Sequence, residues 1–135
     1  MKTHINSRAA VFADNNVGVY VDFQTIESKF SIAAIKWEEI LETQKSNQKG
    51  KCLISKAYKD KPAKTLQWTK DDSTITFEVF HSNSQNGWDF QNEYVLTLED
   101  IEAFTPIYEY SMNIVQNLKK EFSDEALSDT GFLTR

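Results

Sequence analysis

Seven lysines between residues 49 and 70 (Lys49, Lys51, Lys56, Lys59, Lys61, Lys64 and Lys70) are interleaved with two flat rings, Tyr58 and Trp68, and a further indole, Trp88, follows. Cations that track phosphates, together with aromatic faces on which unpaired bases stack, are what hold single-stranded nucleic acid. Stacking is worth about 1–3 kcal/mol per base, and every neutralised phosphate adds a salt-dependent term. These ten residues are the candidate nucleic-acid-binding set, and the chemistry accepts DNA or RNA. Strand alternation places Lys56 and Tyr58 with Cys52 and Ile54, opposite Lys51, Ser55 and Lys59, so the segment has no purely basic side. Core packing is the competing role for Trp68 and Trp88.

Charge is divided sharply along the chain. Residues 45–70 hold eight lysines against Asp60 alone, a net +7, whereas residues 71–118 hold nine acids and no Lys or Arg. The formal net charge of −5 argues against a general nucleic-acid sponge but leaves room for a local electrostatic footprint. Lysines that merely solubilise an edge strand are the plainer explanation of the basic block. The acidic stretch, 71–118, offers a second functional reading: a protein-interaction module of the immunity or inhibitor type, set against a basic target.

Other chemistries are poorly served. Four glycines (18, 50, 87 and 131) supply no phosphate-cradling loop, and neither a nucleophile elbow nor an HExxH helix occurs. A single cysteine and two histidines, His4 and His81, cannot build a zinc site or an internal disulfide framework. His81 ends a strand and could act as a base, but such a histidine is more often structural. The paired acids Glu38/Glu39 and Glu99/Asp100 sit at helix starts, where the dipole favours them. The sequence therefore reads as a non-enzyme without cofactor or metal. No apolar run approaches the roughly 20 residues of a membrane span, and no apolar leader follows Lys2. A cytoplasmic protein of a bacterium or phage-infected cell is expected.

The elements that must carry these residues follow from periodicity. Residues 8–13 and 17–23 flank the turn-forming Asp14, Asn15 and Asn16 and read as a hairpin. Residues 30–35 are apolar and lead into a helix over 36–42, with Trp37, Ile40 and Leu41 on one face. Residues 51–58, 65–69 and 74–80 read as strands; in the last, Ile75, Phe77 and Val79 oppose Thr76, Glu78 and Phe80. A further strand spans 93–98. Thr97 with Asp100 makes a capping-box pattern, after which Ile101, Phe104, Tyr108, Met112, Val115, Leu118 and Phe122 mark one helical face. Pro106 either kinks this helix or starts a second one. The order is strands then helix, twice, which is the α+β class with antiparallel sheets. One domain is expected over 1–120, with loose repeats at 8–46 and 48–120, followed by a flexible acidic tail over 121–135.

Lys49-Gly50-Lys51-Cys52-Leu53 resembles the Lys-Gly-Lys-Ala-Ala-Leu motif of the Whirly single-stranded-DNA-binding proteins. The downstream order is similar too: a strong strand over 74–80, then Trp88-Asp89-Phe90, then Tyr94-Val95-Leu96-Thr97-Leu98-Glu99 entering a helix. The related positive-cofactor-four coactivators share that last unit, and the resemblance spans about residues 48–105. It implies two strands-then-helix repeats forming opposed sheets, a homo-oligomer joined through helices, and single-stranded DNA bound on the sheets in replication or recombination. Lys49 and Lys51 would match the motif lysines that face DNA. Outside the resemblance, the acidic residues of 121–135 with the apolar Phe132 and Leu133 suit the recruitment of a protein partner. Position 52 departs from the motif's alanine.

Overall fold

The computed structural model describes residues 2–11 and 17–130, with side chains as far as residue 121. Runs of alternating polarity become strands and runs of period 3.6 become helices. In chain order they are β1 (His4–Val11), β2 (Val17–Gln24), β3 (Lys29–Ala33), α1 (Ala34–Gln44), β4 (Lys49–Ser55), β5 (Lys64–Lys70), β6 (Thr74–Ser82), β7 (Trp88–Thr97) and α2 (Leu98–Thr130). The class is α+β. Two antiparallel sheets, ordered β1-β2-β3 and β4-β5-β6-β7, are each followed by a helix.

The inner faces of the two sheets meet through aromatic rings. Phe23 on β2 lies 5.1 Å from Phe77 on β6 and 5.8 Å from Tyr94 on β7, measured between ring centroids. Trp37 of α1 approaches Phe23 at 6.0 Å and Phe104 of α2 at 5.7 Å, so one indole touches both a sheet and the second helix. Val21, Ile32, Ile40, Leu66, Ile75 and Leu96 fill the space around them, all fully buried. Edge-to-face and tilted ring pairs of this kind add about 0.5–1.5 kcal/mol each beyond the area they bury. Hydrogen bonds pin the seam at its margins: Ser28 Oγ and Tyr94 Oη are 2.9 Å apart, and Ser7 Oγ and Ser111 Oγ 2.6 Å apart.

Local rules explain the boundaries. Thr97 Oγ1 accepts from the Asp100 backbone N–H while Asp100 Oδ2 accepts from the Thr97 N–H, the reciprocal cap that the sequence signalled. The same backbone N–H of Thr97 holds the Asp100 carboxyl below the usual carboxylate range. Pro106 neither stops α2 nor starts another helix; the chain stays helical through it. Its ring and Glu102, whose carbonyl loses the i+4 partner, both lie on the exposed side, where water can replace the missing bond. α2 also continues to Thr130, so the first ten residues expected as a loose tail are helical. The hairpin turn at 14–16 and the last five residues fall outside the described ones.

Strand β4 ends at Ser55, three residues short of the expected limit, because its register with β5 shifts between Leu53 and Ser55. Beyond it Tyr58 and Lys61 pair with each other across a tight turn in which Lys59 takes a left-handed conformation, φ 54°. Strand β7 begins at Trp88, five residues earlier than alternation suggested, because a bulge opposite Val79 and Phe80 breaks its period.

Gly50 sits across from Trp68 in the β4–β5 ladder, and the indole covers it so closely that a Cβ there would lie 2.6 Å from the ring. Gly50→Ala should therefore lower stability by about 1–3 kcal/mol through overpacking, read as a shift of the urea midpoint; an unchanged midpoint would mean the indole moves freely. Thr97→Ala should cost about 1 kcal/mol in the same assay through loss of the cap.

Candidate nucleic-acid interface

The second sheet turns one face inward and leaves the other uncovered by any element among the described residues. On the uncovered face the register sets side chains in cross-strand rows. One row runs Lys51, Gln67, Glu78, Glu93; the next runs Leu53, Thr65, Phe80, Phe90; a third runs Lys49, Thr69, Thr76, Val95. Trp88, paired with Ser82, lies just past the aromatic row. Leu53, Trp88, Phe90 and Val95 are exposed large apolar residues on this surface, and contiguous apolar patches are found at interaction sites.

A groove of about 390 Å³ crosses the face, lined by Lys51, Leu53, Thr65, Gln67, Phe80 and Trp88. Its rings are held by neighbours: Phe80 and Phe90 meet edge to face at 5.8 Å. Its floor is firm, since Thr65 is buried between β4 and β6. Neither the Lys51 nor the Gln67 side chain has a hydrogen-bond or ion-pair partner among the described residues, so a cation, an amide and an indole all remain open to a ligand.

The lysine-rich β4–β5 loop borders the aromatic end of this face. Ala63 at the end of the loop donates its N–H to Ser82 Oγ (2.9 Å) and accepts from the Ser82 N–H (3.0 Å), fixing the loop beside the pair Ser82–Trp88. Lys56, Lys59 and Lys61 are all exposed on it. Tyr58 is 67% exposed with the Lys59 ammonium 5.3 Å from its ring centre, a cation–π pair at the tip. Lysines thus flank the rings on two sides, along β4 and along the loop.

Two of the ten candidate residues have other employment. Trp68 is only 2% exposed; it faces the core over Gly50 and cannot offer its ring to a base. Lys70 lies at the opposite end of the sheet, half-buried, donating from Nζ to the Gln44 carbonyl at 2.7 Å. It closes the C-terminus of α1, where an orphan carbonyl and the helix dipole both favour a cation. Lys64 is half-buried beside His81. Burial first, and the Lys64 charge second, hold the His81 imidazole below its ordinary 6.5.

Phe80 and Phe90 belong to the surface but were absent from the candidate set. Alternation in β6 had already put Phe80 opposite the core-facing Ile75, Phe77 and Val79; the bulge in β7 concealed Phe90. The thiol of Cys52 points the other way, toward Glu39 of α1 (Sγ to Oε2 3.6 Å), and burial together with that carboxylate pushes its pKa up. The acids of 71–118 are distributed over several elements. Asp71 accepts from the Ser73 and Thr74 N–H groups in a turn, and those bonds hold its carboxyl low. Asp100 caps α2, Asp89 accepts from Asn83, and Glu78 with Glu93 stand on the uncovered sheet face.

Among the described residues no group of three or more His, Cys, Asp or Glu is placed to hold a metal ion, and no helix is long and apolar enough to cross a membrane. Comparison with family models, curated proteins and solved structures gives no match for this chain.

Trp88 is the accessible indole, with Trp37 and Trp68 buried. Acrylamide should quench a minor fraction of the tryptophan emission, and Trp88→Phe should remove that fraction; quenching that survives the substitution would mean the core indoles are reachable. The imidazole of His81 should titrate below 6.5 by NMR. Because the unfolded chain takes up that proton first, stability should fall as pH drops from 6.5 through the folded midpoint. A midpoint at or above 6.5 would contradict the burial.

Proposed function

We propose that the protein binds single-stranded DNA on the uncovered face of its second sheet. The observation that carries this reading is the groove that brings Lys51 together with Trp88 and Phe80: a phosphate-binding cation within one cavity of two rings on which bases stack. Lys49 extends the cationic edge along β4, and Lys56, Lys59 and Lys61 extend it around the loop. The fold supports the reading in a second way. Two strands-then-helix units with facing sheets agree with the arrangement that the Whirly resemblance implies, although the first unit has three strands where that family has four.

A flat, half-apolar sheet surface suits unpaired rather than paired nucleic acid. Bases in a duplex are stacked on one another and hide their faces, so exposed rings gain nothing from them. Unpaired bases can lie on Phe80, Trp88 and Phe90 while the sugar-phosphate chain follows the lysines. Contacts of this type depend weakly on sequence and strongly on salt.

The reading is tested by titrating the protein with a mixed-sequence single-stranded oligonucleotide while following tryptophan emission. Saturable quenching should appear at low salt and weaken steeply as salt rises. With affinity read from the anisotropy of a labelled oligonucleotide, Trp88→Ala should cost about 1–3 kcal/mol of binding, and Lys51→Ala should reduce the salt slope by about 1. Trp68→Phe, a core change, should leave affinity intact. Absence of quenching, or equal loss from Trp68→Phe and Trp88→Ala in folded protein, would reject the proposal.

A further inference from the structure

The uncovered face carries a feature that phosphate binding does not explain. Glu78 on β6 and Glu93 on β7 are directly opposite each other in the ladder, in the row next to the aromatic one. Like charges so placed destabilise a strand pair. Neither carboxylate has a hydrogen bond or ion pair among the described residues. Gln67, which lines the groove, is the cross-strand neighbour of Glu78.

Resting on the reading of this face as a single-strand site, we propose that Glu78 and Glu93 make it selective for bases that carry an exocyclic amino group. Adjacent same-face residues along a strand are about 6.6 Å apart, so the Glu78 carboxylate stands within reach of the edge of a base lying on Phe80. The cations lie on β4 and the loop, whereas the carboxylates lie on β6 and β7. Phosphates are drawn to the first side and repelled from the second, which turns the bases toward Glu78 and Glu93. An ionised carboxylate only accepts hydrogen bonds. Cytosine presents its N4 amino group, adenine its N6 amino group, and guanine N1–H with its N2 amino group. Thymine and uracil present one N3–H between two carbonyl oxygens, and those oxygens meet the carboxylates unfavourably. Carboxylates accept from the cytosine amino group in duplex readout for the same reason.

Labelled oligo(dC) and oligo(dT) of equal length separate the amino group from stacking, since both are pyrimidines. Measured by anisotropy at one salt concentration, the protein should bind oligo(dC) about tenfold more tightly than oligo(dT), within the discrimination that one good base contact provides. Glu78→Gln and Glu93→Gln, alone and together, keep side-chain shape and add amide donors for the thymine oxygens. They should bring the two affinities together, chiefly by strengthening oligo(dT). Equal affinities for the two oligonucleotides in the unmodified protein would overturn this inference alone, as would Gln variants that strengthen both by the same factor, since the glutamates would then act only as bulk charge. Failure of both oligonucleotides to bind would overturn the single-strand reading of the face and this inference with it.

Discussion

The contact between Phe23 and the pair Phe77 and Tyr94 is what the remaining architecture depends on. It presses the inner faces of the two sheets together, and Trp37 extends it to α1 and α2. A chain of 135 residues can build one such core. Both helices are used to close it: α1 lies against β4 through Cys52 and Glu39, and α2 against β1 through Ser7 and Ser111. Among the described residues no element covers the far face of the second sheet. Its large apolar side chains are exposed for that reason, and a stable fold can carry them because the seam behind them is sealed.

The same alternation that fills the core composes the surface. In β6 the odd residues 75, 77 and 79 are buried and the even ones, ending with Phe80, face away. In β4 Cys52 faces α1 while Lys49, Lys51 and Leu53 take the other side. A one-residue slip would turn Lys49 and Lys51 inward in β4, and in β6 would bury Glu78 and expose Phe77. The register is guarded by specific devices: Trp68 over Gly50, the shift between Leu53 and Ser55, and the bulge opposite Val79 and Phe80. Charge is sorted by the same means, with cations on β4 and its loop and carboxylates on β6 and β7.

Much of this was legible in the sequence, and what was not has physical causes. Strand and helix identity followed from periods of two and 3.6, and the cap at Thr97 and Asp100 from residue type alone. Strand limits failed where an irregularity breaks the period, as at Ser55 and between Trp88 and Asn92. The continuous helix through Pro106 was undecidable locally, because a proline on an exposed face costs one hydrogen bond that water can replace. Within the site, the lysines and Trp88 were visible by type. Trp68 stood undecided between stacking and core packing because composition cannot tell a ring over a glycine from a ring in water; the Gly50 partner that settles it is 18 residues away and paired only by the ladder. Alternation turned Phe80 outward, but Phe90 was hidden by the bulge in β7, and only the register brings the two rings together.

The central claim is that a sheet sealed on one side presents cations and rings on the other to an unpaired polyanion. It is tested most directly by mapping backbone amide shifts of isotope-labelled protein as a single-stranded oligonucleotide is added. The account predicts changes concentrated in β4, in the 56–63 loop and at Phe80, Trp88 and Phe90, with β1 and the exposed side of α2 silent. Changes centred on the first sheet or on α2, or none at saturating oligonucleotide, would contradict it.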